Sequence, residues 1–149
     1  MNAIYTFIQW EKEGKSLLND IFSWKEKTLL YFYPRDNTPG CTLEAKDFTC
    51  LEKEFQKLWI GLLGVSKDTI DSHKKFIADH QITFPLISDE NLELHKQFWA
   101  YGEKNNYWKI IQGVIRSTFL IDSTWNIIKA WRNVKATGHA EKVLKELQK

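Results

Sequence analysis

Residues 28–44 read Thr-Leu-Leu-Tyr-Phe-Tyr-Pro-Arg-Asp-Asn-Thr-Pro-Gly-Cys-Thr-Leu-Glu, and the change of period inside this stretch decides the fold. Positions 28–33 are an unbroken run of β-branched, aliphatic and aromatic residues stopped by Pro34. Such a run is the pattern of a strand buried on both faces, as in a parallel sheet. Asp36, Asn37, Thr38, Pro39 and Gly40 each favour a turn for a separate reason. From Cys41 onward Leu43, Phe48, Leu51, Phe55 and Leu58 recur at helical intervals, with Glu44, Lys46, Asp47, Glu52 and Lys53 between them. That spacing predicts an amphipathic helix. The unit is a buried strand, a tight loop, and a helix whose first turn carries a cysteine.

The same alternation continues outward. Residues 60–65 read as a second buried strand, and Asp68 or Thr69 is placed to cap a helix running to about His80. A short strand at 83–87 and a short helix at 91–98 follow. Residues 116–121 form the next strand, joined through Asp122-Ser-Thr to a strand at 125–131. A C-terminal helix over 138–148 carries Val143, Leu144 and Leu147 on one side. Alternating strands and helices predict an α/β fold, and the tight strand–turn–strand unit adds an antiparallel element. At the N-terminus, 4–10 reads as one arm of a hairpin turning at Lys12-Glu-Gly-Lys. With no repeat, low-complexity tract or linker, the expectation is one domain over residues 1–149.

Composition narrows the function. A chain of 149 residues, 43% apolar, is long enough to bury a core. Its formal charge is +2 and its 21 basic residues are interleaved with acids, so no basic patch suggests nucleic acid or a membrane surface. No apolar run approaches the ~20 residues of a membrane span, and the opening residues do not form a targeting segment. A cytoplasmic location is the expectation. Two cysteines make no disulfide framework and suit a reducing compartment. Cys41 and Cys50 have no Cys or His neighbours at zinc-ligand spacing, so neither a metal nor a cofactor is expected. His73, His80, His95 and His139 are scattered and read as solvated helix or loop residues. The seven tryptophans read as ordinary core and surface packing, with a platform on Trp99 and Trp108 as the lesser alternative.

Cys41 is the residue with chemistry. A thiol reacts as its thiolate, and the first turn of a helix places sulfur near unpaired backbone N–H groups and the positive end of the dipole. Thr38, one turn earlier, can offer a hydroxyl to the sulfur or to an oxygen approaching it. Pro34 and Pro39 restrict the loop on either side.

The spacing Pro34-x-x-x-Thr38-x-x-Cys41 matches the active-site motif of the peroxiredoxins. The fuller string from Tyr31 to Ala45 resembles the peroxiredoxin Q, or bacterioferritin comigratory protein, branch. Phe84-Pro-Leu-Ile-Ser-Asp89, Phe98-Trp-Ala-Tyr-Gly-Glu-Lys104 and Arg116-Ser-Thr-Phe-Leu-Ile-Asp122 are similar to further segments of that branch, in the same order. The resemblance covers roughly residues 28–147. It implies a thioredoxin-like fold, a central mixed sheet flanked by helices, and a thiol-dependent peroxidase acting on hydrogen peroxide and organic hydroperoxides. It also implies that Cys41 is the nucleophile and becomes a sulfenic acid, that Thr38 hydrogen-bonds the peroxide, and that Arg116 stabilises the thiolate and transition state. Glu44 would orient Arg116, and Pro34 would shield the sulfur from water. The implied partners are a hydroperoxide and thioredoxin or another thiol, with a monomeric chain.

The sequence departs from the branch at one position. Many members carry a resolving cysteine five residues after the first, where this chain has Lys46. Cys50 lies nine residues on, ~13.5 Å along an intact helix, whereas a disulfide needs Cα atoms within ~7 Å. A one-cysteine cycle with an external reductant is therefore favoured over Cys50 as resolver, and Cys50 reads equally as a small core residue. A thioredoxin-type dithiol exchange lacks its second cysteine, since the helix opens Cys41-Thr-Leu-Glu44. A redox sensor relaying oxidation from Cys41 to a partner protein is the alternative from another class.

Overall fold

A computed structural model describes residues 4–9, 12–17, 27–106 and 108–149. The run at 28–33 supplies an interior strand of a mixed seven-stranded sheet. Its strands are β1 (Ile4–Gln9), β2 (Lys12–Leu17), β3 (Lys27–Phe32), β4 (Ile60–Ser66), β5 (Leu86–Ser88), β8 (Ser117–Asp122) and β9 (Ile127–Trp131), in the order β2-β1-β5-β4-β3-β8-β9. β3, β4 and β5 run parallel, while β1 and β2 on one flank and β8 and β9 on the other pair antiparallel. A separate hairpin joins β6 (Tyr101–Asn106) to β7 (Lys109–Val114).

Period-2 geometry explains why β3 needs no polar face. Leu29, Tyr31 and Tyr33 enter one apolar cluster together with residues of the helices α1 (Pro39–Lys57), α2 (Ile70–His80) and α4 (His139–Leu147). Leu30 and Phe32 enter a second cluster with Leu94 of α3 (Glu93–Gln97), Phe98 and Phe119. The sheet is thus covered on both faces. A glycine is required at Gly64 in β4, because a Cβ there would lie 2.7 Å from Leu86 Cδ2 and 3.1 Å from the Tyr31 ring. Among the described residues no helix is long and apolar enough to cross a membrane.

Several sequence expectations need correction. The hairpin turn does not fall at Lys12-Glu-Gly-Lys: those residues lie in β2, with Gln9 opposite Lys12, and Trp10 is outside the described residues. Thr69, not Asp68, caps α2, its hydroxyl accepting from Ser72 N at 3.2 Å. Trp125 lies in the turn before β9 rather than in the strand, with φ of 69°. Leu43 is 40% exposed, and Glu44 is buried in its place. Cys50 is exposed rather than a core residue. His73, His95 and His139 are buried instead of solvated, each with a polar partner.

Candidate active site

Cys41 is the third residue of α1, after Thr38 as N-cap and Pro39 in the first turn. Proline suits that position because its fixed φ is helical and its missing N–H has no partner to lose. Thr38 has the extended backbone of a cap, and its carbonyl accepts the first helical bond from Thr42 N at 2.9 Å. The cysteine side chain is 1% exposed, so its sulfur lies at a helix N-terminus out of bulk water.

Arg116 reaches this sulfur from the other side. It stands immediately before β8, and its carbonyl accepts from Val134 N at 2.9 Å. One guanidinium nitrogen, Nη2, donates to Cys41 Sγ at 3.3 Å, and Nη1 donates to Glu44 Oε1 at 2.5 Å. The loop passes close to the guanidinium: a Cβ at Gly40 would sit at ordinary contact distance, 3.4 Å from Arg116 Nη2. Cys41, Glu44 and Arg116 are therefore brought together. The Thr38 hydroxyl is not in this group: it donates to Arg35 O at 3.0 Å and makes no hydrogen bond to the sulfur. Pro34 is half-buried between β3 and the loop. Cys50 is separated from Cys41 by more than two turns of continuous helix, and both thiols are free.

Burial governs the electrostatics. It pushes Glu44 up from 4.5 to about 7, against the downward pull of Arg116. For Arg116 burial acts downward, but the charges of Glu44 and Cys41 outweigh it and the guanidinium ends above its ordinary value. Tyr31, stacked on Phe48 with centroids 4.7 Å apart, is held well above the usual phenol range, first by burial and then by Glu44 and Cys41. His139 is pushed down to about 4 by burial and next by Arg116, and its Nε2 meets Thr118 Oγ1 at 2.8 Å. The arrangement is a buried nucleophile with one permanently charged donor fixed on it, suited to a reaction that gathers negative charge near sulfur.

The AhpC/TSA family profile matches residues 8–130. The chain belongs to the AhpC/TSA family. Over 122 residues this peroxiredoxin is 48% identical to the putative peroxiredoxin bcp of Helicobacter pylori strain J99, covering 82% of this chain and 80% of that protein. Over 120 residues it is 46% identical to the peroxiredoxin Bcp of Xanthomonas campestris, covering 80% and 75%. The bacterioferritin comigratory protein of Xanthomonas campestris, whose structures address its alkyl peroxide reduction activity, superposes with a TM-score of 0.86 at 38% identity. That match covers 98% of this chain and 90% of the other. The AhpC of Enterococcus faecalis shares the fold, with a TM-score of 0.80 at 19% identity. The fold is thioredoxin-like, and the peroxiredoxin is a thiol-dependent peroxidase of the Bcp, or peroxiredoxin Q, branch.

The sequence did not single out Asp36 or His73. The Asp36 carboxylate, below the loop, faces the Tyr33 hydroxyl at 2.6 Å and His73 Nδ1 at 2.7 Å. The only signal was the cluster of hydroxyl and acidic residues at Ser66, Asp68, Thr69, Asp71 and Ser72 next to a histidine. Trp99 and Trp108 are exposed, and Trp99 borders a groove of about 660 Å³ with Glu103, Lys104, Ile115 and Arg132.

Proposed function

We propose that this peroxiredoxin reduces hydrogen peroxide and organic hydroperoxides by a one-cysteine cycle at Cys41. The observation that carries the reading is the Arg116 guanidinium 3.3 Å from the Cys41 sulfur. The thiolate of Cys41 attacks the terminal oxygen of the hydroperoxide and the O–O bond breaks. Sulfur takes the hydroxyl as a sulfenic acid, and the alkoxide leaves as an alcohol on taking a proton. One external thiol then condenses with the sulfenic acid, releasing water and leaving a mixed disulfide. A second thiol reduces that disulfide and restores Cys41.

Arg116 stabilises the negative charge on sulfur and on the parting oxygen atoms, and Glu44 fixes its plane. Thr38 reaches the peroxide by turning its hydroxyl away from Arg35 O, and half-buried Pro34 keeps water from the sulfur. Cys50 does not resolve, because a bond to Cys41 requires the helix between them to unwind. Thioredoxin or another thiol supplies the electrons, and the chain acts as a monomer in the cytoplasm. These last points rest on the resemblance to the branch and on the cysteine usage.

The test is the intact mass after one equivalent of hydrogen peroxide, mixed with a sulfenate-trapping dione. A single adduct on Cys41 is expected. Loss of two hydrogens without an adduct would overturn the one-cysteine cycle, and unchanged protein would overturn Cys41 as nucleophile.

A further inference from the structure

Asp36 lies five residues before Cys41 and two before the cap of α1. Its side chain is 1% exposed, and three side chains, one following β3 and two from α2, converge on it. Tyr33, the residue after β3, donates its hydroxyl to Oδ1 at 2.6 Å. From α2, the Ser72 hydroxyl donates to Oδ2 at 2.8 Å and His73 Nδ1 meets the same oxygen at 2.7 Å. The main chain of Asp36 is held as well, its N–H donating to Asp68 Oδ2 at 2.9 Å. Asp68 is itself fixed by the Ser66 hydroxyl at 2.7 Å.

The other ring nitrogen of His73 completes the tie. Nε2 meets the carbonyl of Ile87 in β5 at 3.1 Å, and a carbonyl only accepts, so Nε2 carries a hydrogen. The 2.7 Å contact at Nδ1 then needs one proton between imidazole and carboxylate, at a site away from water. The ring is fully buried. The Asp36 carboxylate thereby locks the cysteine loop to Tyr33, to α2 and, through His73, to β5, while its main-chain N–H ties the loop to the β4–α2 turn. None of these groups touches Cys41, Arg116 or Glu44 by a hydrogen bond.

We propose that Asp36 and His73 are positioning residues for the peroxidase reaction: they fix the start of α1, and so the place of the sulfur relative to Arg116. Arg116 approaches from β8, on the opposite flank of β3 from α2 and β5. The sulfur-to-guanidinium distance is consequently set by two anchors on different parts of the sheet. Loss of either anchor moves one partner without removing it. The inference rests on Cys41 being the reacting group.

The test measures the single-turnover rate of Cys41 oxidation by hydrogen peroxide together with the rate of alkylation by iodoacetamide, in Y33F, S72A, D36N, D36A and H73Q. Y33F and S72A each delete one donor with little change of shape and keep the test alive if D36A does not fold. In D36N the amide oxygen still accepts from Tyr33, and the amide nitrogen can donate one hydrogen to His73 Nδ1 and the other to Ser72 Oγ, which turns from donor to acceptor, so the lock re-forms. Asp36→Ala is expected to slow oxidation by about tenfold to a hundredfold, as small misplacements of reacting groups do. Y33F and S72A give smaller losses, D36N recovers most of the rate, and H73Q falls in between. Alkylation of Cys41, compared at a pH high enough for the sulfur to be thiolate in every variant, stays within about threefold, because iodoacetamide needs the thiolate but not the guanidinium in register. Oxidation and alkylation falling in parallel, or D36N no better than D36A, would overturn the positioning role. Full oxidation rates in folded Y33F, S72A and H73Q would overturn it too. Unreactive Cys41 in the parent protein would instead show the underlying peroxidase reading to be wrong.

Discussion

Arg116 and Glu44 form a buried ion pair 2.5 Å long whose arginine also holds the Cys41 sulfur, so one guanidinium plane serves two partners at once. The carboxylate is wholly buried and the arginine side chain 15% exposed. Each partner restricts the swing of the other.

Replacing Arg116 therefore affects rate and stability together. R116A is expected to slow Cys41 oxidation by about a hundredfold or more, the scale of losing a fixed donor to developing charge. It also leaves Glu44 buried without its cation, which costs about 3 kcal/mol or more. R116K restores little of the rate, since an ammonium cannot span both partners in one plane. Stopped-flow oxidation and urea denaturation of the two variants check both expectations.

Glu44 and His139 drive stability in opposite directions over one pH interval. Burial raises Glu44 from 4.5 to about 7, so its contribution is full below about 4.5 and is lost as pH rises toward 7. His139 is lowered from 6.5 to about 4, so its contribution is full above about 6.5 and is lost as pH falls toward 4. The parent should vary little between about pH 5 and about pH 6.5, because the two contributions offset. E44Q should gain stability with rising pH across that interval relative to the parent, by about 2 kcal/mol. H139Q should lose stability with rising pH. Urea midpoints at both ends of the interval decide it, and equal slopes in all three proteins would contradict the assignment.

The two cysteines should separate cleanly. C41S is expected to abolish peroxide consumption, and C50S to leave turnover with an external thiol unchanged. A fall in turnover for C50S, with a disulfide in the parent, would show that α1 unwinds during the cycle.

Thr69→Ala tests the helix that carries Ser72 and His73. The lost cap bond to Ser72 N should cost about 1 kcal/mol. Its signature is a lower melting temperature, with the Asp36 contacts to His73 and Tyr33 untouched.

The strands of the sheet were legible because period 2 and continuous apolar runs survive in the residues themselves, as at 28–33 and 60–65. The hairpin of β6 and β7 was not, because most of its described side chains are exposed and no face imposes alternation. The turn of α1 that faces the sheet was misjudged for a related reason. Cys41, Glu44, Ala45, Phe48 and Phe55 are its buried residues, and a hydropathy reading credits exposed Leu43 over a glutamate. Of the site, the motif gave Cys41 and the resemblance gave Arg116 and Glu44, and geometry now places these three in contact. Asp36 and His73 escaped because they meet across 37 positions of sequence, and a buried acid and a buried histidine look like surface residues until their partner is known.

The helix α1 also carries a built-in chemical contrast, because Cys50 faces solvent while Cys41 is 1% exposed. A maleimide dye added in limiting amount will mark Cys50 first, with no need to engineer the wild-type chain. A fluorophore seated there rides on the same 19-residue helix as the reactive sulfur. Any fraying of that helix during turnover will then appear as a change in the dye's anisotropy, timed against the chemistry one helical segment away.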